Sequence, residues 1–146
     1  MSVIKYKLDE AIMEDAFFED TALIGIVSGL PAYRLCWMLN NYFDIAFACQ
    51  PDMTLELSVK GNNNYLPVYQ YQFPNSYDRY LLYKLKVDNM SLLPETGRMD
   101  YMWLVQTATY EEDVVEIVNN LKKIPDITLS QILERSQLKN VKNLLV

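Results

Sequence analysis

No histidine occurs in this 146-residue chain, which removes the usual acid/base group at neutral pH and the commonest transition-metal ligand. Ser-His-Asp, Cys-His and zinc-histidine chemistries are thereby excluded. Cysteine is scarce as well: Cys36 and Cys49 are the only two, they do not form a Cys-x-x-Cys pair, and two thiols make no disulfide scaffold. Both are expected to be reduced structural residues. The four glycines fall in no phosphate-binding pattern. No catalytic residue, cofactor or metal site is therefore expected, and this shortage argues against an enzyme more strongly than any residue argues for one. Basic residues are in the minority, 13 against 19 acidic for a net charge of -6, and they are scattered rather than gathered into a stripe. Nucleic acid and anionic membrane are thus not expected partners. No apolar run is long enough to cross a bilayer, and residues 1–7 lack an apolar signal core, so the expected compartment is the cytoplasm.

What is present is ordinary globular material, 51% hydrophobic and 22% charged, enough for one domain with its own core. A short strand is expected near Tyr6, then a buried strand over 21–27. Ser28 and Pro31 open a helix that runs to about Phe43. From Met53 the pattern alternates, with Leu55, Leu57 and Val59 on one face. Similar alternation recurs over 67–73, 79–87 and 99–107, broken by Gly61-Asn62-Asn63-Asn64, Pro74-Asn75-Ser76 and residues 94–97, which predicts a four-stranded meander. Thr109 with Glu112 reads as a capping box opening a second helix, with Val114, Ile117, Val118 and Leu121 as its apolar stripe and Pro125 as its stop. Ile127 and Leu129 suggest a last strand, and Leu144-Leu145-Val146 a docked tail. The whole, residues 1–146, is expected to be one α+β domain: a mostly antiparallel sheet with two helices on one face, ferredoxin-like with additional strands.

The segment Leu93-Pro94-Glu95-Thr96-Gly97-Arg98-Met99-Asp100-Tyr101 resembles the signature Ile-Pro-Glu-x-x-x-Val-Asp-Tyr of a family of small bacterial proteins found mainly in Bacteroidetes. Pro94, Glu95, Asp100 and Tyr101 match, while Leu93 and Met99 depart conservatively. The resemblance extends into residues 33–40, the segment around Ile124-Pro125, and Asn143 to Val146, and it implies no particular activity. Physically, Glu95, Arg98 and Asp100 are the best catalytic candidates, since a partly desolvated carboxylate can be pushed toward neutral pKa. The stronger reading is structural: Pro94 fixes a turn, Gly97 supplies a positive φ, and Arg98 pairs with a carboxylate at a strand start. If Asp100 shares the core face of Met102 and Leu104, it needs a partner such as Arg98 or Arg34.

Other features carry less. The acidic residues Asp9, Glu10, Glu14, Asp15, Glu19 and Asp20 lack the spacing of a calcium loop and read as solvated charge around an amphipathic segment with Ile12, Met13, Phe17 and Phe18 inward. The tyrosines at 65, 69, 71, 77, 80, 83 and 101 read as sheet packing rather than a stacking platform. Pro67 and Pro74 flank what reads as an edge strand. In the first helix, Leu35, Met38, Leu39, Tyr42 and Phe43 fall on one arc, and Tyr33, Arg34, Trp37, Asn40 and Asn41 on the other. A Tyr, Arg and Trp cluster on the polar side has the composition of an interface hot spot. The expected function is a non-enzymatic domain that binds a protein partner or itself through Tyr33, Arg34 and Trp37. A small-molecule-binding regulatory domain is the alternative, and an enzyme built on Glu95 or Asp100 a third.

Overall fold

Residues 21–27 are aliphatic almost without interruption, the pattern of a strand covered on both faces. In the computed structural model, which describes residues 3–146, they form β1 (Thr21–Val27) of a six-stranded antiparallel sheet. Across it the order is β10 (Leu129–Leu133), β1, β9 (Tyr101–Gln106), β6 (Arg79–Lys84), β5 (Val68–Gln72) and β2 (Ala48–Cys49). Three helices accompany it: α1 (Val3–Phe17), α2 (Ala32–Phe43) and α3 (Tyr110–Leu121). Two small hairpins, β3 (Leu55–Val59) with β4 (Asn62–Leu66) and β7 (Lys86–Val87) with β8 (Met90–Ser91), stand apart from the sheet. The fold is α+β.

Alternation along the strands divides the core in two. On one face Ile24, Ile26, Leu82, Trp103 and Val105 meet Leu35, Cys36 and Leu39 of α2 and Val114, Ile117, Val118 and Leu121 of α3. On the other, Leu23, Val68, Leu81, Tyr83, Met102 and Leu104 are covered by Phe18, Leu66, Leu92, Leu93, Val141 and Leu144. Gly25 is bare because Met99 lies against it: a Cβ there would sit 2.7 Å from the Met99 sulfur.

Several expectations need correction. The strand expected near Tyr6 is helical, part of α1, so there are three helices rather than two among the described residues. Ile12 and Met13 are exposed rather than inward, while Phe17 is half-buried and Phe18 buried. No four-strand meander forms: β3 pairs only with β4, which takes up Asn62, Asn63 and Asn64. Turn chemistry there falls on Lys60 and Gly61, both at positive φ, 51° and 82°, as a two-residue hairpin turn requires. The strand flanked by Pro67 and Pro74 is not the edge, since β2 pairs with β5 over Ala48 and Cys49. Thr109 is the N-cap of α3, but its hydroxyl donates to Asp113 Oδ2 at 2.9 Å instead of accepting a backbone N–H, so the capping box with Glu112 does not form. The last strand begins at Leu129 and runs to Leu133, beyond the predicted pair. Of the tail, Leu144 is buried and Val146 exposed. Met1 and Ser2, within the segment read for a signal core, lie outside the described residues.

Candidate functional site

α2 buries Ala32, Leu35, Cys36 and Leu39 against the sheet, which turns positions 33, 34, 37 and 41 outward at 100° per residue. Tyr33 and Trp37 are 74% and 67% exposed, and Arg34 and Asn41 are exposed beside them. Residues four apart are neighbours on a helix, so Tyr33 and Trp37 form one aromatic patch, with Arg34 the only formally charged side chain of α2. Tyr42, expected on the inward arc, is exposed. Asn40, expected on the outward one, turns toward the chain: its amide donates to the Phe47 carbonyl at 3.1 Å and accepts the Phe47 N–H at 2.7 Å.

The 93–101 segment anchors that helix. Pro94 begins a 3-10 turn, Pro94–Thr96, and Gly97 closes it at φ 49°. Asp100 Oδ2 accepts the Ser28 N–H at 3.0 Å, and the Tyr101 hydroxyl donates to the Leu30 carbonyl at 2.5 Å. Ser28 in turn donates its hydroxyl to the Asp126 carbonyl at 2.9 Å. Asp100 and Tyr101 therefore fix the loop immediately ahead of α2. The partner expected for Asp100 is not Arg98 or Arg34 but the Ser28 amide, with the Lys86 ammonium 3.9 Å away. Arg98 is exposed and forms no ion pair among the described residues.

Glu95 works elsewhere, accepting the Asn140 N–H at 3.0 Å and its side-chain amide at 2.7 Å, which ties the C-terminal segment to the turn. Burial pushes its carboxyl upward, but the hydrogen bonds from Asn140 outweigh this, and it titrates below its ordinary value. That is opposite to the upward shift a general acid at neutral pH requires. Tyr101 is displaced upward to about 12, first by burial and then by the Asp100 charge, and serves as a neutral donor.

The other candidates find structural partners. Glu14 and Asp15 pair with Arg135 at 3.3 and 2.7 Å. Among the described residues no cluster of three metal-ligating side chains exists, and no helix is long and apolar enough to cross a membrane. Tyr71 and Tyr80 pair across strands at 6.2 Å, Tyr83 donates to the Leu144 carbonyl at 2.6 Å, and Tyr65 and Tyr77 are exposed. An open groove of about 730 Å³ runs along Gln72, Tyr77, Asp78, Arg79, Gln106 and Thr107. Several of its polar groups are hydrogen-bonded within the chain: Arg79 donates to Gln106 and Gln70, Gln106 to the Phe17 carbonyl, and Asp78 accepts the Ala108 N–H. Cys36 is buried as expected, whereas Cys49 is exposed on β2.

Sequence reading missed Ser28 as the hub of the loop ahead of α2 and Asn40 as its link to residue 47. Ser28 was visible only as a helix opener, and nothing local marks which residue 72 positions away its amide will meet. No family model matches the chain, and no curated protein matches it.

Proposed function

We propose that this chain is a non-enzymatic interaction domain that engages a protein partner through the outward face of α2, with Tyr33, Arg34 and Trp37 as its contact residues. The observation that carries this is the exposure of two large aromatics, 74% and 67%, on one face of a helix whose other face is buried. Tyr and Trp bury much area with few rotors to freeze, which is why they dominate hot spots. The partner surface implied is apolar at its centre with a carboxylate for Arg34. A second copy of the chain fits less well, because each copy carries a net charge of -6 and like-charged chains repel.

The four-stranded set β1, β6, β9 and β10, with α2 after β1 and α3 after β9, has the spatial order β10-β1-β9-β6. That order supports a ferredoxin-like core carrying β2 to β5 as an insertion. Membership of the Ile-Pro-Glu-x-x-x-Val-Asp-Tyr family is proposed on the matched positions 94, 95, 100 and 101; each of the last three makes a tertiary contact. In this reading the signature is a scaffold that sets the pose of α2. The two competing functions find less support: Arg79, Gln106 and Asp78 in the groove are hydrogen-bonded within the chain, and Glu95 and Asp100 are occupied by N–H donors.

The test is to tag the protein in its source cells and compare what co-purifies with the wild type and with a Tyr33→Ala/Trp37→Ala variant of unchanged circular dichroism. The partner is then purified and titrated against both. A partner whose affinity falls at least about tenfold in the variant, with Arg34→Glu weakened as well, is expected from truncating central aromatic and Arg anchors. Equal binding by both forms refutes the assignment. Sedimentation of the isolated chain as a dimer lost in the variant would replace the foreign partner with a second copy.

A further inference from the structure

The fold brings the two cysteines, unrelated in sequence, to the same side of the sheet. Cys49 of β2 stands opposite Tyr69, Tyr69 opposite Leu82, and Leu82 opposite Trp103. Directly opposed residues of antiparallel strands project to the same face. Cys49 therefore ends a row whose other members pack against the helices, and Cys36 is buried in that same cluster.

The register along the chain agrees. Asn40 clamps the backbone of Phe47 through two hydrogen bonds. From Asn40 back to Cys36 is about 6 Å along a helix, and from Phe47 on to Cys49 is about 6.6 Å along a strand. The two displacements share a direction. α2 runs alongside β9, with its leading loop held by Tyr101 and its end packed through Phe43 on Trp103, while β2 is antiparallel to β9 through the alternation β2, β5, β6, β9. Cys36 and Cys49 consequently come abreast. In keeping with this, burial pushes the Cys36 thiol up to about 12 with a further contribution from Cys49, and Tyr69 feels both sulfurs.

We propose that Cys36 and Cys49 form a thiol modification site that closes to an intrachain disulfide on exposure to a low-molecular-weight disulfide such as oxidised glutathione. Cys49, exposed, attacks first as its thiolate: one sulfur–sulfur bond of the small molecule breaks, one small thiolate leaves, and a mixed disulfide forms at Cys49. Cys36 then gives its proton to water and attacks the Cys49 sulfur, expelling the second small thiolate. Two protein thiols are oxidised and one small disulfide is reduced to two thiols. The product pins β2, a two-residue edge strand, to the helix beside Trp37.

The reduced full-length protein is incubated in oxidised and reduced glutathione mixtures, quenched in acid, and weighed intact. The expected product is a monomer lighter by two hydrogens, with a Cys36–Cys49 cross-linked peptide, reversed by dithiothreitol. Cys36→Ser is expected to stop at a glutathione adduct on Cys49. Closure in native protein should need an oxidised-to-reduced ratio at least about tenfold lower than in urea, because folding raises the effective concentration of one thiol at the other. A wild type that stops at the glutathione adduct, forms Cys49-linked dimers, or closes no more readily folded than unfolded overturns the proposal.

Discussion

Replacing Gly25 by alanine tests whether the close approach of Met99 shapes this core. Gly25 lies in the middle of β1, opposite Met102 on one side and Gln131 on the other. An added Cβ would meet Met99 Sδ at 2.7 Å, Met99 Cγ at 2.9 Å and Leu133 Cδ1 at 3.0 Å. Contacts that short force the buried Met99 to shift, and overpacking of this kind costs about 1–3 kcal/mol. Alanine recovers about 0.5–1 kcal/mol of the conformational entropy that glycine loses in a strand. The net expectation is a loss of up to about 2.5 kcal/mol, a fall in Tm of up to about 8 °C for a domain of this size. Urea unfolding followed by circular dichroism gives the number, with an unchanged m-value as the check that only stability has moved. The cause is isolated by repeating the substitution in Met99→Ala, which removes the two closest of the three atoms. Met99→Ala alone should cost about 2–5 kcal/mol through its cavity, but in that background Gly25→Ala should become neutral or stabilising. The coupling should be about 1–3 kcal/mol. If Gly25→Ala costs the same in both backgrounds, Met99 is not the reason that this position is glycine.

Further substitutions probe the anchors around α2. Asp100→Ala strands the Ser28 amide and should cost about 1–3 kcal/mol, with faster amide exchange at residue 28; unchanged exchange would show that the loop holds itself. For Glu95 the native pKa lies below its ordinary 4.5, so the unfolded chain takes up its proton first and the contribution is present above that value. Stability should fall as pH drops through and below 4.5, and Glu95→Gln should flatten this acid limb while leaving neutral-pH folding intact. An equally steep limb in the variant would refute the role. With the Cys36 thiol raised to about 12, a thiolate-selective reagent at pH 8 should label only Cys49 rapidly and reach Cys36 after unfolding; fast labelling of two thiols in native protein would contradict the burial.

How far the chain could be read in advance depended on whether the signal was local. β1, α2 and α3 were legible because their apolar periodicity is strong. The helical character of the first segment was not, since Ile12 and Met13 are exposed and an inward-facing stripe was the wrong sign to look for. Asn62 to Asn64 carry turn chemistry, yet they form β4 because pairing with β3 supplies the ladder that propensity does not. The patch of Tyr33, Arg34 and Trp37 followed from helical spacing alone, but its exposure depended on nothing else folding over it.

By itself the sequence determined the class of the protein: an α+β domain without the histidine, Cys-x-x-Cys pair or glycine loops on which most site chemistry rests, since residue type and period are written locally. Tertiary structure alone decided the partners. Asp100 meets the amide of Ser28, Glu95 meets Asn140, and Cys36 comes abreast of Cys49, because hydrogen bonds and thiol proximity depend on ångström distances between segments far apart in the chain, set by sheet order and by the direction in which α2 and β2 cross.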